Sequence, residues 1–372
     1  KSRIFTVKTA STMQSIVLPG NAIDAGIAPD HLLVLVHGIW ASPADWTNFE
    51  AELKRRLGKN FLIHVSSCNT YSKTLTGIHD SGRRLADEVL EVVRNAGSLR
   101  KISFLAHSLG GLIARYAVGI LYQPDVSYQL PTDIDYSASI NVKISNSSND
   151  GLIAGLEPIN FITLATPHLG VRGNKQFPLL LGVPLLERIV PPIAPLFVGT
   201  TGRQLFLTDG GPDSPPLLLR MTSDCDDGKF ISALGAFRSR VLYSNVSCDH
   251  MVGWRTSSIR RETELVKSLR ESLDGYKHIV KVENCLPTTA KPPENEVGAS
   301  KNRARNHEII EEKMIRGLQG VGWLKVDVNF GFTFLPFLAH NAIHVKNTRI
   351  HYAGGEIISH VSELIKQQEE EA

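Results

Sequence analysis

The chain has 372 residues, 42% of them apolar and 21% charged. These are ordinary figures for a globular protein able to bury one large α/β core or two smaller ones. Its 40 basic and 37 acidic residues interleave to a net charge of +3, too mild a balance for a nucleic-acid partner, and no single-sign block reads as a binding tail. No stretch reaches the roughly 18 uninterrupted apolar residues of a membrane-spanning helix.

Residues 1–29 read as an N-terminal arm. Residues 1–23 hold Lys, Arg, Ser and Thr but no Asp or Glu, the composition either of a disordered arm or of the end of an organelle transit peptide. From residue 30 to 368 the pattern predicts a single α/β domain. Leu32–Val36 is apolar at every position, the mark of a strand buried on both faces of a parallel sheet. Similar runs recur at Phe61–Val65, Ile102–Ala106, Asn160–Ala165, Arg240–Val246 and Trp323–Phe330. Between them, Thr47–Leu57, Gly82–Asn95, Leu109–Leu121 and Ser257–Leu273 carry apolar residues at helical spacing, and a last helix is expected from Glu356 to Gln368. Strands alternating with helices predict a mostly parallel, doubly wound sheet.

Three segments break the alternation. Residues 124–157, rich in Ser, Asn and Asp, read as an excursion from the sheet, and residues 286–306 as a mobile polar loop. Phe177–Val198 is strongly apolar but carries five prolines, so it cannot be one long helix. It reads either as a cap or lid, within about 171–215, or as a patch packed on the core. As a lid, Leu181, Leu185, Ile189 and Phe197 would face an acyl group, and the lid could touch a membrane surface peripherally.

The most informative stretch is Ala106 to Gly110, with Ser108 at its centre, between the run at Ile102 and the helix at Leu109. Small residues two before and two after a serine permit a sharp strand-to-helix turn that lifts the hydroxyl clear of the sheet. The Leu109 N–H then lies at a helix N-terminus, where developing negative charge is favoured. A second oxyanion donor is expected from Ile39 or Trp40, in the loop that Gly38 opens after the first strand. His37 is expected to order that loop.

An orienting acid is expected after a late strand. Asp249 follows Arg240–Val246, whereas Asp224, Asp226 and Asp227 lie in a polar loop before it. His250 adjoins Asp249 but should point elsewhere, since neighbours on an extended chain alternate faces. The base should follow the last strand, where His340 and His344 both qualify. The order Ser108, Asp249, His340 is the nucleophile–acid–base order of α/β hydrolases. Neither a metal nor an organic cofactor is expected. Cys68, Cys225, Cys248 and Cys285 lack metal-type or CxxC spacing, which reads as reduced structural thiols of an intracellular protein, cytoplasmic or in a plastid or other organelle.

Val36 to Ile39, Ala106 to Gly111 and Thr163 to Gly170 resemble the serine esterase family known as domain of unknown function 676, particularly its plant-type members. So do Tyr243 to Ser257, around the acid, and Ala339 to Ile343, around the base. The likeness spans roughly residues 30–365. Ala106 stands where glycine is usual and Ala342 where asparagine is common. The resemblance implies an α/β-hydrolase fold, ester hydrolysis with a small-molecule or lipid acyl ester as substrate, and His340 rather than His344 as base. An acyltransferase on the same scaffold, or a ligand-binding protein with a hydrolase fold, are the alternative readings.

Overall fold

The computed structural model describes residues 28–124, 151–172, 199–211, 214–265, 272–273, 275–288 and 303–371. Seven strands form its central sheet: β1 (His31–Val36), β2 (Phe61–Val65), β3 (Lys101–His107), β4 (Glu157–Leu164), β5 (Ser239–Asn245), β6 (Ile279–Cys285) and β7 (Trp323–Val328). Their spatial order is β6-β7-β5-β4-β3-β1-β2. All neighbours pair in parallel except β6, which runs antiparallel to β7. The β1 run is apolar throughout because each of its faces meets a helical layer. Leu32, Val34 and Val36 pack with the core on one side, Leu33 and Leu35 with the core on the other.

The first of these cores receives α2 (Ile78–Asn95), α3 (Leu109–Leu121), α4 (Phe230–Ala236) and α5 (Arg303–Gln319). The second receives α1 (Thr47–Leu57) through Phe49 and Leu53, and α6 (Gly355–Glu370) through Ile357, Val361 and Ile365. The chain therefore has the α/β-hydrolase architecture expected from its sequence. The parallel strands point their C-terminal ends to one edge, the edge where open sheets build their sites.

Several expectations need correction. Where a helix was expected over Ser257–Leu273, the described residues show a short one, Trp254–Ser258, ended by Ile259 in the left-handed region and followed by a 3-10 turn at Glu262–Glu264, while residues 266–271 lie outside the described residues. The two arginines that follow are drawn away by carboxylates of other elements. Arg260 pairs with Asp327 and Glu283, and Arg261 with Glu312. Strand β6 went unread because its second half, at the sheet edge, alternates half-buried with exposed positions and carries charge. The polar stretch at 286–306 is cut short by α5, which begins at Arg303. The excursion at 124–157 returns as a small antiparallel pair, Tyr122–Pro124 with Gly151–Ile153. Residues 1–27 and 173–198, and with them Leu181, Leu185, Ile189 and Phe197, lie outside the described residues. Among the described residues, no helix is long and apolar enough to cross a membrane.

Candidate active site

Ser108 occupies the junction of β3 and α3 with φ 55° and ψ −128°, a region that a non-glycine residue enters only when its surroundings hold it there. Two hydrogen bonds hold this turn: the Ser108 N–H donates to Leu164 O at 2.9 Å, and Thr166 Oγ1 donates to Ser108 O at 2.9 Å. The glycines after the serine are steric necessities. A Cβ on Gly110 would lie 2.4 Å from Val36 O, and one on Gly111 2.2 Å from Thr166 Oγ1. Ala106 is fully buried, so the smallest side chain suffices where a glycine is usual.

Asp249 follows β5 and His340 lies on the short helix Ala339–Ala342 after β7. Both side chains are brought to Ser108 across more than ninety intervening residues. His340 Nε2 is 3.0 Å from Ser108 Oγ, and His340 Nδ1 is 3.0 Å from Asp249 Oδ2. With Nδ1–H donating to the carboxylate, Nε2 is left to accept the serine proton. Asp249 Oδ2 also accepts from Asn245 Nδ2 at 2.8 Å, and its Oδ1 accepts the N–H groups of Met251 and Val252 at 2.9 Å each. Burial pushes this carboxyl up. The facing His340 and the bonds from His340, Asn245 and Val252 outweigh burial and hold it below its ordinary value, so it stays a carboxylate.

The two oxyanion candidates after β1 are separated by geometry. The Trp40 N–H is donated to Thr74 Oγ1 at 3.1 Å, which removes it as a donor to an external group. Among the described residues the Ile39 N–H has no such partner, and the Leu109 N–H is the first of α3. Gly38 keeps this loop against the serine, since its Cβ would stand 3.0 Å from Ser108 Cβ. His37 orders the loop, donating from Nδ1 to Gly38 O at 3.1 Å.

His250 is exposed and turned away. Asp224 caps α4, accepting from the Ile231 and Ser232 N–H groups, and Asp227 pairs with Arg220. His344 is buried behind the site, its ring 3.8 Å from that of His107 and nearly parallel to it. His107 Nε2–H in turn donates to His340 O at 2.8 Å. Burial first, then the neighbouring imidazoles, push both rings well below the ordinary histidine value. This neutral pair beneath His340 was missed from the sequence, as were Asn245 and Thr166, because only the tertiary contacts give those residue types a role. Among the described residues, no group of three or more His, Cys, Asp or Glu could hold a metal ion.

Two curated relatives match part of the chain. A protein of Schizosaccharomyces pombe named a putative lipase is 27% identical over 296 residues, covering 76% of this chain and 33% of its own length. Saccharomyces cerevisiae Putative lipase ROG1 is 27% identical over 233 residues, covering 62% and 28%. The chain thus spans about a third of the length of such relatives. Among solved structures, Bacillus licheniformis lipase BlEst2 in mature form overlays with a TM-score of 0.34 at 14% identity, covering 61% of this chain and 70% of that one. Aspergillus fumigatus lipase B gives 0.33 at 13%, covering 62% and 40%. The profile of the family described as Putative serine esterase (DUF676) matches residues 27–259, well over half of the sequence and inclusive of both Ser108 and Asp249, and the chain belongs to that family.

Proposed function

We propose that the protein is a lipase-like serine hydrolase of carboxylic esters, with Ser108 as nucleophile, His340 as base and Asp249 as the acid that orients it. The observation that carries this reading is the continuous hydrogen-bonded line Ser108 Oγ–His340–Asp249, with both links at 3.0 Å. Ser108 Oγ attacks the ester carbonyl carbon while its proton passes to His340 Nε2. The oxyanion that forms is held by the N–H groups of Leu109 and Ile39. His340 returns the proton to the departing alkoxide, the alcohol leaves, and an acyl group remains on Ser108. Water then attacks that acyl group, giving its proton to His340, and the carboxylic acid departs as the serine is restored. Asp249 keeps Nδ1 protonated and stabilises the imidazolium between the two transfers. Each oxyanion donor contributes on the order of 3 kcal/mol to the transition state in sites of this type.

The test is labelling by a fluorophosphonate probe alongside turnover of a soluble short-chain ester. Wild type should label and turn over. Ser108→Ala should lose the label and at least ~10³-fold in kcat with an unchanged Tm. Full activity in Ser108→Ala would refute the assignment.

A further inference from the structure

Six Phe, Tyr and Trp side chains are exposed among the described residues: Trp40, Tyr71, Phe332, Phe334, Phe337 and Tyr352. All six stand on loops that follow the C-terminal ends of β1, β2 and β7, the edge that carries Ser108. Each is more than half exposed, Phe334 reaching 89% and Phe332 67%. The exposed apolar side chains elsewhere, such as Leu90, Leu152 and Val282, are aliphatic. Aromatic rings standing free on loop tips forfeit burial, and their natural home is the boundary between headgroups and acyl chains.

Charge on the same loops is one-sided. From Val328 to Gly355 there is no Asp or Glu, whereas Lys346 and Arg349 are both exposed. The loop after β2, residues 66–77, likewise has Lys73 exposed and no acid. Along the loop after β1 the one acid, Asp45, is paired with Lys346 at 2.8 Å. Asp249, in the loop after β5, is buried against His340. Aromatics ringed by cations with the acids neutralised are complementary to an anionic lipid surface, where basic residues and interfacial rings act together.

We propose that this edge docks peripherally on anionic lipid surfaces, with Phe332 and Phe334 entering the headgroup boundary and Lys73 and Arg349 meeting the headgroup charge. The purpose of the docking rests on the ester-hydrolase reading, since it sets the Ser108 mouth against an acyl-bearing surface; the docking itself does not.

The experiment is sedimentation of the full chain with phosphatidylcholine vesicles, with and without about a third phosphatidylserine, at low and high salt. Wild type should bind the anionic vesicles at least tenfold more tightly than the neutral ones and lose most of that preference in high salt. Phe332→Ser with Phe334→Ser should weaken binding at least tenfold while turnover of a soluble short-chain ester stays within twofold. Lys73→Gln with Arg349→Gln should abolish the anionic preference. Ser108→Ala should bind like wild type. A wild type that binds vesicles but turns over no ester would strike the hydrolase reading and leave this one standing. The proposal is overturned if wild type binds neither vesicle, if it prefers neutral ones, or if the Phe332/Phe334 variant binds as wild type does. Light scattering showing a dimer that the same Phe substitutions dissolve, with no vesicle binding, would overturn it in favour of a second copy as the occupant.

Discussion

Ser108 is held in a positive-φ conformation by contacts from both neighbouring strands and by glycines that cannot be enlarged. The strain is tolerable because the surroundings over-determine it, and its result is a hydroxyl aimed at His340. Asp249 plays the opposite part, fully satisfied by four hydrogen bonds and buried. Replacing it by Asn preserves the shape but presents an N–H toward His340 Nδ1 and favours the wrong tautomer. Asp249→Asn should therefore lower kcat by about 10³-fold or more with little change in KM. Steady-state kinetics on a soluble ester checks this, and a loss confined to KM would contradict it.

Among the elements, the ties between β6, β7 and the segment after β5 carry the largest single electrostatic stake. Arg260 Nη1 is bidentate to Asp327 at 2.7 and 2.9 Å, its Nη2 reaches Glu283 at 2.9 Å, and Trp254 Nε1–H donates to Asp327 at 2.8 Å. Asp327 is fully buried and Arg260 nearly so. Removing Arg260 leaves the buried Asp327 carboxylate with only the Trp254 N–H in a low-dielectric interior. Arg260→Ala should cost about 3–5 kcal/mol in urea unfolding, far more than an exposed pair such as Arg55–Glu52 would. The same pairing explains why the segment after Ser258 abandons the helix that its apolar spacing suggested. Two arginines gain more from carboxylates on β7, β6 and α5 than the backbone gains from another helical turn.

For the whole molecule, stability against acid follows from groups whose protonation differs between folded and unfolded chains. His107 and His344 have folded values well below 6.5 because burial disfavours their charged forms. Below pH 6.5 the unfolded chain takes up protons at these positions and the folded one does not, so stability falls as pH falls through that value. Each site contributes a slope of up to about 1.4 kcal/mol per pH unit. Asp249 adds a later loss: its folded value lies below 3.8, so its contribution, present above that value, disappears only as pH falls further. Urea midpoints measured from pH 7.5 to 5 should fall steeply for wild type and less steeply for His344→Phe. Parallel slopes would show that the imidazole pair does not govern this limb.

Ser108, its small neighbours, the order of acid and base, and the alternation of strands with helices were all legible in the sequence. They rest on local requirements: a sharp turn excludes large side chains, and a strand buried on both faces must be apolar throughout. Asp249 over its rivals, and His340 over His344, were read from strand order together with family likeness. Contacts alone decided the rest. The Trp40 N–H proved to be engaged by Thr74, thirty-four residues away, while the Ile39 N–H has no such partner among the described residues. His344, equally placed by position in the chain, turned inward to stack on His107. Strand β6 was not legible because it lies at the sheet edge, where its second half mixes Lys281, Glu283 and Asn284 with Val282 and forms no continuous apolar run. Local sequence determined which residue could be held at the apex of the strained turn, because that constraint acts within five residues. Which distant N–H stayed free, which imidazole reached the serine, and which loops presented their aromatics at one edge were decided by the tertiary structure, because those outcomes depend on partners separated by tens to hundreds of residues.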